Sequence, residues 1–426
     1  MVVARVADQG FEVRLARGSE AIAARNLTLG TVGYLPRLDG TLAYRGTEAS
    51  QAAPGNFGGL DGDTPSLALT SYNTATAGVG LSWTALDFGR GPAYRRLESE
   101  RDQAAAYTET TLTDALGGAL TAYYDVVRQQ QLVSAIEETV ALSEERLRLA
   151  TVQLRAGTVN ELDAGLARVD LNADRATLLR EAATLTTLKT DLRRRMGETD
   201  TLDFAVVDTI TIVPGLARRA ALDAARANNP QLDAARQAQQ GAALGVREVR
   251  RARLPTLFLD AGYQFSGIAE GVEPDLFNRD DSFTYGATLT VPLFDGFTRR
   301  RHIATATIQA RNAATTVEQV QARIHAAVVV AHARYQNGLD QIVLEAENVA
   351  VARRNVEIAY AQQRAGTITA VDLRQVQVSL LNAQTRLLDA QFSAKQAELE
   401  LRRLGGSLLT TAPGLPPAAR PDAPRP

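Results

Sequence analysis

The chain has 426 residues, 45% of them hydrophobic and 22% charged, which suits two or three ordinary domains or one large repeated one. With 46 Lys plus Arg against 48 Asp plus Glu, the net charge of −2 argues against a nucleic-acid binder. Cysteine is absent, which removes thiolate metal sites, cysteine nucleophiles, disulfides and an acylated N-terminal cysteine.

Met1–Gln9 carries Arg5 and Asp8 and no apolar core, so the chain is either cytosolic or starts without its leader peptide. Residues 1–32 are predicted as an N-terminal helical segment. Residues 33–90 are predicted as a first strand pair. There Leu38, Leu42 and Tyr44 alternate with Arg37, Asp39, Thr41 and Arg45, and Ala75, Ala77, Val79, Leu81, Trp83 and Ala85 alternate with Thr, Gly and Ser. Between them Gly46–Ser66, rich in Gly, Pro, Asp and Ser, reads as a long exposed loop.

Residues 91–197 form the first predicted helical hairpin. From Gly89 to Gly157 no proline follows Pro92, which sits in the first helical turn, and Gly117–Gly118 mark a candidate break. At a rise of 1.5 Å per residue such a helix spans roughly 100 Å. An inter-repeat linker and helix occupy 198–253. The second strand pair, 254–296, alternates Leu257, Leu259, Ala261, Tyr263 and Phe265 with polar residues, then Phe283, Tyr285, Ala287, Leu289, Val291 and Leu293 with Thr, Gly and Ser. The second hairpin, 297–405, has Asn337–Gly338 as its candidate break. Residues 406–426 end in a Pro/Ala-rich tail, Thr411–Pro426, predicted to be disordered. No run of about 18 apolar residues exists, which excludes a transmembrane helix but not a membrane β-barrel.

The two halves repeat one order of features. LPRLDGTLAY (Leu35–Tyr44) parallels LPTLFLDAGY (Leu254–Tyr263), WTALDFGR (Trp83–Arg90) parallels TVPLFDGF (Thr290–Phe297), and RRMG (Arg194–Gly197) parallels RRLG (Arg402–Gly405). RAGTVNELD begins at Arg155 and RAGTITAVD at Arg364. In the phrase, Gly157 and Gly366 suit a left-handed helix end, and Asn160 and Thr369 sit where N-caps belong. Asp163 and Asp372 follow three residues on, close to a capping box. Each phrase is therefore read as a tight reversal between two long antiparallel helices. Behind the second, Leu373, Val376, Leu380, Ala383, Leu387, Ala390, Ala394, Ala397, Leu401 and Leu404 hold three–four spacing, a coiled-coil seam. Behind the first, Leu162, Leu166, Val169, Ala173 and Ala176 begin the same pattern.

This duplicated order of strand pair, long helix, R-x-G-T reversal and return helix resembles the TolC-like outer-membrane efflux protein family. The resemblance rests on the two RAGT phrases, the ALDFGR and PLFDGF strand ends and Asn228–Leu257, which Ala21–Pro36 echoes, and it covers nearly all of residues 10–405. It implies a mostly helical α+β protomer, internally duplicated, with long antiparallel coiled-coil helices. Its four strands would join those of two further copies in a homotrimer with one 12-stranded membrane β-barrel and a periplasmic α-barrel. The implied role is a passive outer-membrane exit duct reaching into the periplasm, in a tripartite efflux or type I secretion system. The implied partners are a periplasmic adaptor, an inner-membrane efflux pump or ABC exporter, and outer-membrane lipids.

Under that resemblance Arg155, Gly157, Thr158, Arg364, Gly366 and Thr367 become candidate adaptor contacts at the tunnel tip. Asp372 and Asp163 become candidates for the tunnel entrance, where symmetry-related carboxylates would repel one another and favour cations. The chain departs from relatives with a second aspartate, having Gln375 there, and places Ile368 and Gln363 where some relatives have a locking Arg and Tyr. Tyr44, Trp83, Tyr263, Phe265, Phe283 and Tyr285 are candidates for an interfacial aromatic girdle, with packing in a soluble sandwich core as the alternative.

No enzyme is expected and no cofactor or metal: there is no phosphate-binding loop, dinucleotide fingerprint or nucleophile elbow. The three histidines, His302, His325 and His332, have no carboxylate cluster to complete a site. Only Lys189 and Lys395 are lysines, an arginine bias attributed to genome composition. The competing function is a periplasmic adaptor or coiled-coil scaffold without a channel.

Overall fold

A computed structural model describes residues 2–52, 67–198, 204, 206, 209–270 and 279–408. Its elements in chain order are α1 (Val2–Gln9), α2 (Phe11–Asn26), β1 (Arg37–Ala52), β2 (Leu67–Leu86), α3 (Arg90–Arg155), α4 (Glu161–Arg195), α5 (Arg218–Asn228), α6 (Pro230–Arg251), β3 (Thr256–Glu270), β4 (Arg279–Thr290), α7 (Thr298–Arg364) and α8 (Ala370–Leu404). They divide into two compact units. One, the helical unit, is Met1–Ile22, Asp102–Gln237 and Thr315–Pro426; the other, the strand unit, is Ala23–Arg101 and Ala238–Ala314.

The strand unit holds one antiparallel sheet in the order β1-β2-β3-β4. Register carries the sequence alternation across all four strands. Leu38 pairs Leu81, Leu81 pairs Ala261 and Ala261 pairs Tyr285, while Val79 pairs Tyr263 and Tyr263 pairs Phe283. Because side chains alternate faces along a strand, these rows gather most large apolar side chains on one face and most Thr, Gly and Ser positions on the other, with Phe258, opposite Thr84 and Thr288, an exception on the polar face. Two expectations are corrected here. The segment read as a loop from Gly46 is strand as far as Ala52, and β2 starts at Leu67, with Gly46 opposite Asn73 and Ala52 opposite Leu67. The hairpin ladder continues there because backbone pairing tolerates small polar side chains that composition alone assigns to loops. β4 stops at Thr290, before Pro292, which has no N–H for a ladder. The remainder of the loop, residues 53–66, and the tail 411–426 lie outside the described residues.

In the helical unit, two cores repeat one arrangement. Val6 of α1 packs with Leu116, Ala119, Val126, Leu192 and Met196 of the first hairpin. Ala225 and Leu232 pack with Val320, Ile324, Val328, Tyr335, Leu401 and Leu404 of the second. The close approaches repeat as well. Gly197, at φ +77°, sits so near Gln9 O that a Cβ would lie 2.4 Å from it, and Gly406, at φ +67°, meets Asn228 O at the same distance. Neither candidate break interrupts its helix: α3 runs through Gly117–Gly118 and α7 through Asn337–Gly338.

The α8 seam is buried as expected at Leu373, Leu380, Ala383, Ala390, Ala394, Ala397, Leu401 and Leu404. The α4 seam is not. Leu162 is 67% exposed and Val169 64%, and α4 instead buries Ala167, Leu171, Asp174 and Leu192. The reason is polar. α4 turns Asp174 inward to Ser143 and Arg374, and this rotates the apolar stripe predicted from its spacing out of the chain.

Candidate functional site: the helical tips and the bare sheet face

Both RAGT phrases fold alike. Gly157 has φ +71° and Gly366 φ +73°, the left-handed conformation in which a side chain is costly. Thr158 N donates to Gln153 O at 3.0 Å and Gly157 N to Leu154 O at 3.0 Å; Thr367 N to Gln362 O and Gly366 N to Gln363 O repeat this, also at 3.0 Å. Each threonine hydroxyl donates to the same carbonyl as its own amide, at 3.0 Å in both copies. The next residues start the return helices. Asn160 Oδ1 accepts from Asp163 N at 2.9 Å. Thr369 Oγ1 accepts from Asp372 N at 3.1 Å, while Asp372 Oδ2 accepts from Thr369 N at 3.1 Å, a complete capping box. Donation from the Thr369 hydroxyl, then from its amide, holds the Asp372 carboxyl below the ordinary aspartate range.

Gly, Thr, Asn and Asp of the phrase thus have local duties. The arginines do not: Arg155 and Arg364 are exposed and form no ion pair among the described residues. All six predicted tip residues are exposed, and Asp372 is exposed beside them.

Behind the tips, a polar clamp joins the two hairpins, and sequence reasoning missed it. Arg374 of α8 donates to both oxygens of Asp174 of α4, at 2.7 and 2.8 Å, and Ser143 Oγ of α3 donates to Asp174 Oδ2 at 2.6 Å. Arg146 pairs with Asp170. Tyr360 OH donates to Leu142 O at 3.1 Å and accepts from Gln377 Nε2 at 2.8 Å, and burial pushes the Tyr360 phenol up. An aspartate in mid-helix was the available signal.

Farther along the helical unit, the linker is strapped across α8 and α7. Lys395 Nζ donates to Thr211 O at 2.8 Å and to Glu398 Oε2 at 3.1 Å, and the same oxygen accepts from Val213 N at 3.2 Å. Arg402 adds an ion pair to Glu398, which is fully buried, and Tyr335 OH donates to Val213 O. His332 Nε2 lies 3.0 Å from Leu216 O. Lys395, one of the two lysines, is buried, tied to the linker backbone and stacked 5.0 Å from the Tyr124 ring.

In the strand unit the apolar sheet face is bare. Leu42 is 87% exposed and Tyr285 81%, with Leu38, Tyr44, Phe283 and Leu289 at 60% or more. Tyr263 and Phe265 stack edge to face at 4.9 Å, and both remain exposed. Trp83 is half-buried, its indole N–H donating to Tyr34 O at 3.0 Å. A continuous apolar face of this size is a binding surface rather than scattered exposure. No helix of the described residues is long and apolar enough to cross a membrane.

A family model described as outer membrane efflux protein matches residues 9–198 and 221–407. Protein CyaE of Bordetella pertussis is 25% identical over 265 residues, 60% of this chain and 54% of its own; the chain thus spans about half the length of that curated relative. Among solved structures, CusC superposes with a TM-score of 0.75 at 18% identity, over 95% of this chain and 91% of that one. The CmeC outer membrane channel of Campylobacter jejuni gives 0.73 at 17% identity, over 95% and 85%. At these identities the structures establish a shared fold.

Proposed function

The chain belongs to the outer membrane efflux protein family, and on that premise we propose that it is a passive exit duct of the outer membrane, assembled as a trimer. The observation that carries this reading is the pair of unpartnered apolar surfaces. A sheet of four strands has two open edges, and a barrel with even a filled lumen needs about eight. Three copies supply 12 strands with the apolar face outward and the Thr/Gly/Ser face lining the interior. In the helical unit, α4 exposes Leu162, Leu166, Val169 and Leu179, and α7 exposes Val343, Leu344, Val351 and Ile358. Two different stripes on one protomer suit a head-to-tail contact that closes into a ring.

In this reading the tips, with Arg155 and Arg364 exposed, face a periplasmic adaptor, and an inner-membrane pump or ABC exporter supplies energy and selects cargo. Asp372 and Asp163 lie beside the tips and would edge the tunnel entrance. The bare sheet face favours the duct over an adaptor or scaffold, whose strands would close a core of their own. The test is extraction and sizing. The chain should leave an outer-membrane fraction only with detergent and run as a trimer by native mass spectrometry, and Val169→Glu should break the trimer. A water-soluble monomer would refute the proposal.

A further inference from the structure

We propose that the strand unit carries an arginine collar, Arg250, Arg253, Arg300 and Arg301, that binds the phosphodiesters of anionic phospholipids around the helix-bearing end of the sheet. The inference rests on the outer-membrane reading and adds to it a lipid class and the residues that select it.

Three chain crossings meet at that end. Thr256 pairs Thr290 at the last rung of β3–β4, so Arg253 and Leu293 leave the sheet together, three residues beyond on each strand. Arg251 donates to Phe88 O at 3.3 Å, bringing in the segment after β2. The apolar sheet face continues onto this end through Leu293, 91% exposed, with Phe294 and Phe297 exposed beside it. Those two rings stack edge to face at 5.5 Å. Phe297 has φ +65°, the one non-glycine residue with positive φ among the described residues. An aromatic residue in that conformation is uncommon and costly, and here the strained turn presents to solvent a ring whose stacking partner is the likewise exposed Phe294.

Charge then changes abruptly. Arg301 N donates to Phe297 O at 3.1 Å, which places Arg301 one helical turn beyond Phe297 on the same face. Leu254 N donates to Arg251 O at 2.9 Å and Arg253 N to Arg250 O at 3.5 Å, so Leu254 closes the last turn of the arginine-bearing helix. The acidic residues nearby are already engaged. Asp87 accepts from Gly89 N at 2.7 Å, Glu248 from Arg96 Nε at 2.9 Å and Asp295 from Arg299 N at 2.9 Å. Arg250, Arg253, Arg300 and Arg301 are exposed and have no acidic partner among the described residues.

Rings followed by unpaired guanidinium groups match the order of acyl chain and then phosphate met on leaving a bilayer core. The planar guanidinium fork fits two phosphodiester oxygens, and an excess of unpaired cations selects lipids with net negative charge over zwitterionic ones.

Trp83, the chain's only tryptophan, lies near this end of the sheet, opposite Leu259, and reports local lipid. The full chain is placed in nanodiscs of phosphatidylcholine containing equal mole fractions of acyl-brominated phosphatidylglycerol or acyl-brominated phosphatidylcholine, and Trp83 quenching is compared. Brominated phosphatidylglycerol should give an excess of about twofold or more, sensitive to salt. The excess should vanish in R250Q/R253Q/R300Q/R301Q while quenching by brominated phosphatidylcholine persists. R353Q/R354Q, at exposed arginines in the helical unit, should retain it. Equal quenching by both lipids in the wild type overturns the collar while leaving the membrane reading intact. An excess that survives the quadruple substitution, or is lost equally in R353Q/R354Q, also overturns it. Quenching by neither lipid overturns both.

Discussion

Arg374 and Asp174, 200 residues apart in the chain, meet through two hydrogen bonds of 2.7 and 2.8 Å and join the repeats behind their tips. Both groups are mostly buried, so removing one partner leaves a charge with poor solvation. Arg374→Met should destabilise the helical unit by about 2–4 kcal/mol, the range for breaking a buried pair less some solvent screening. Asp174→Asn should cost less, because Ser143 keeps an acceptor. Thermal unfolding measures both, and hydrogen exchange should show the loss concentrated at Ser143–Arg155 and Ala359–Arg374. Uniform loosening along the hairpins would contradict a local clamp.

Glu398 accepts the amide of Val213 and pairs with Lys395 and Arg402 from a fully buried position. Glu398→Leu should free the linker and cost about 3 kcal/mol, since two cations lose their partner. Glu398→Gln should recover part of this by keeping an acceptor for Val213 N. Limited trypsin digestion at Arg218 and Arg219 checks it: cleavage should accelerate in the leucine variant and only slightly in the glutamine variant.

These two networks mark the limit of what periodicity reveals. The duplication, the continuous helices, the tip turns and the one-faced strands follow from spacings and glycine positions, which local backbone geometry enforces. The seam of α8 is legible because Leu373, Leu380 and Ala394 are buried within their own chain. The same arithmetic misplaces α4, whose Leu162 and Val169 stay exposed while Asp174 turns inward. A pattern of apolar positions says that a face is covered, not by which chain. Arg374, Glu398 and Lys395 were illegible for a related reason: the i,i+3 and i,i+4 spacing of Glu398 with Lys395 and Arg402 is ordinary for an exposed helix face, and their contacts with Asp174, Thr211 and Val213, in the other hairpin or the linker, are encoded by no local spacing. At the tips, the repeated phrase made the helix reversal legible, yet only the hydrogen bonds separate Thr158 and Thr367, which are used locally, from the exposed Arg155 and Arg364.

Gly406 and Gly366 share a left-handed backbone but differ in surroundings. A Cβ at Gly406 would lie 2.4 Å from Asn228 O, whereas nothing lies within 4 Å of one at Gly366. Gly366→Ala should therefore cost about 1–2 kcal/mol, the conformational term alone. Gly406→Ala should cost about 2–4 kcal/mol, because backbone must also move. Chemical denaturation of the two variants side by side tests the ordering, and equal losses would contradict it.

Gly366→Val should leave the sheet inserted in the membrane while weakening adaptor capture and export, since the reversal carrying Arg364 and Thr367 must change shape. Co-purification with adaptor, measured against unchanged detergent extraction, checks this. Normal export by the variant would remove the tip from the docking surface.

Asp372 separates a local duty from a shared one by its titration. Within the chain, Thr369 stabilises the ionised carboxylate, so the folded group titrates below its unfolded value. Its contribution to stability is then fully present above the ordinary aspartate range and is lost as pH falls through the lower, folded value. Asp372→Asn should loosen the first turn of α8 at neutral pH by hydrogen exchange, and the difference from wild type should close once pH falls below the ordinary aspartate range and through the folded value. In a threefold ring, the neighbouring carboxylates would oppose this by raising the titration, since like charges disfavour ionisation. Measuring the Asp372 pKa by carboxyl-labelled NMR in a monomeric variant and in the trimer distinguishes the cases. A value below the ordinary range in both assigns Asp372 to helix capping alone. A rise on assembly, reversed by loss of the trimer, places it at the tunnel entrance.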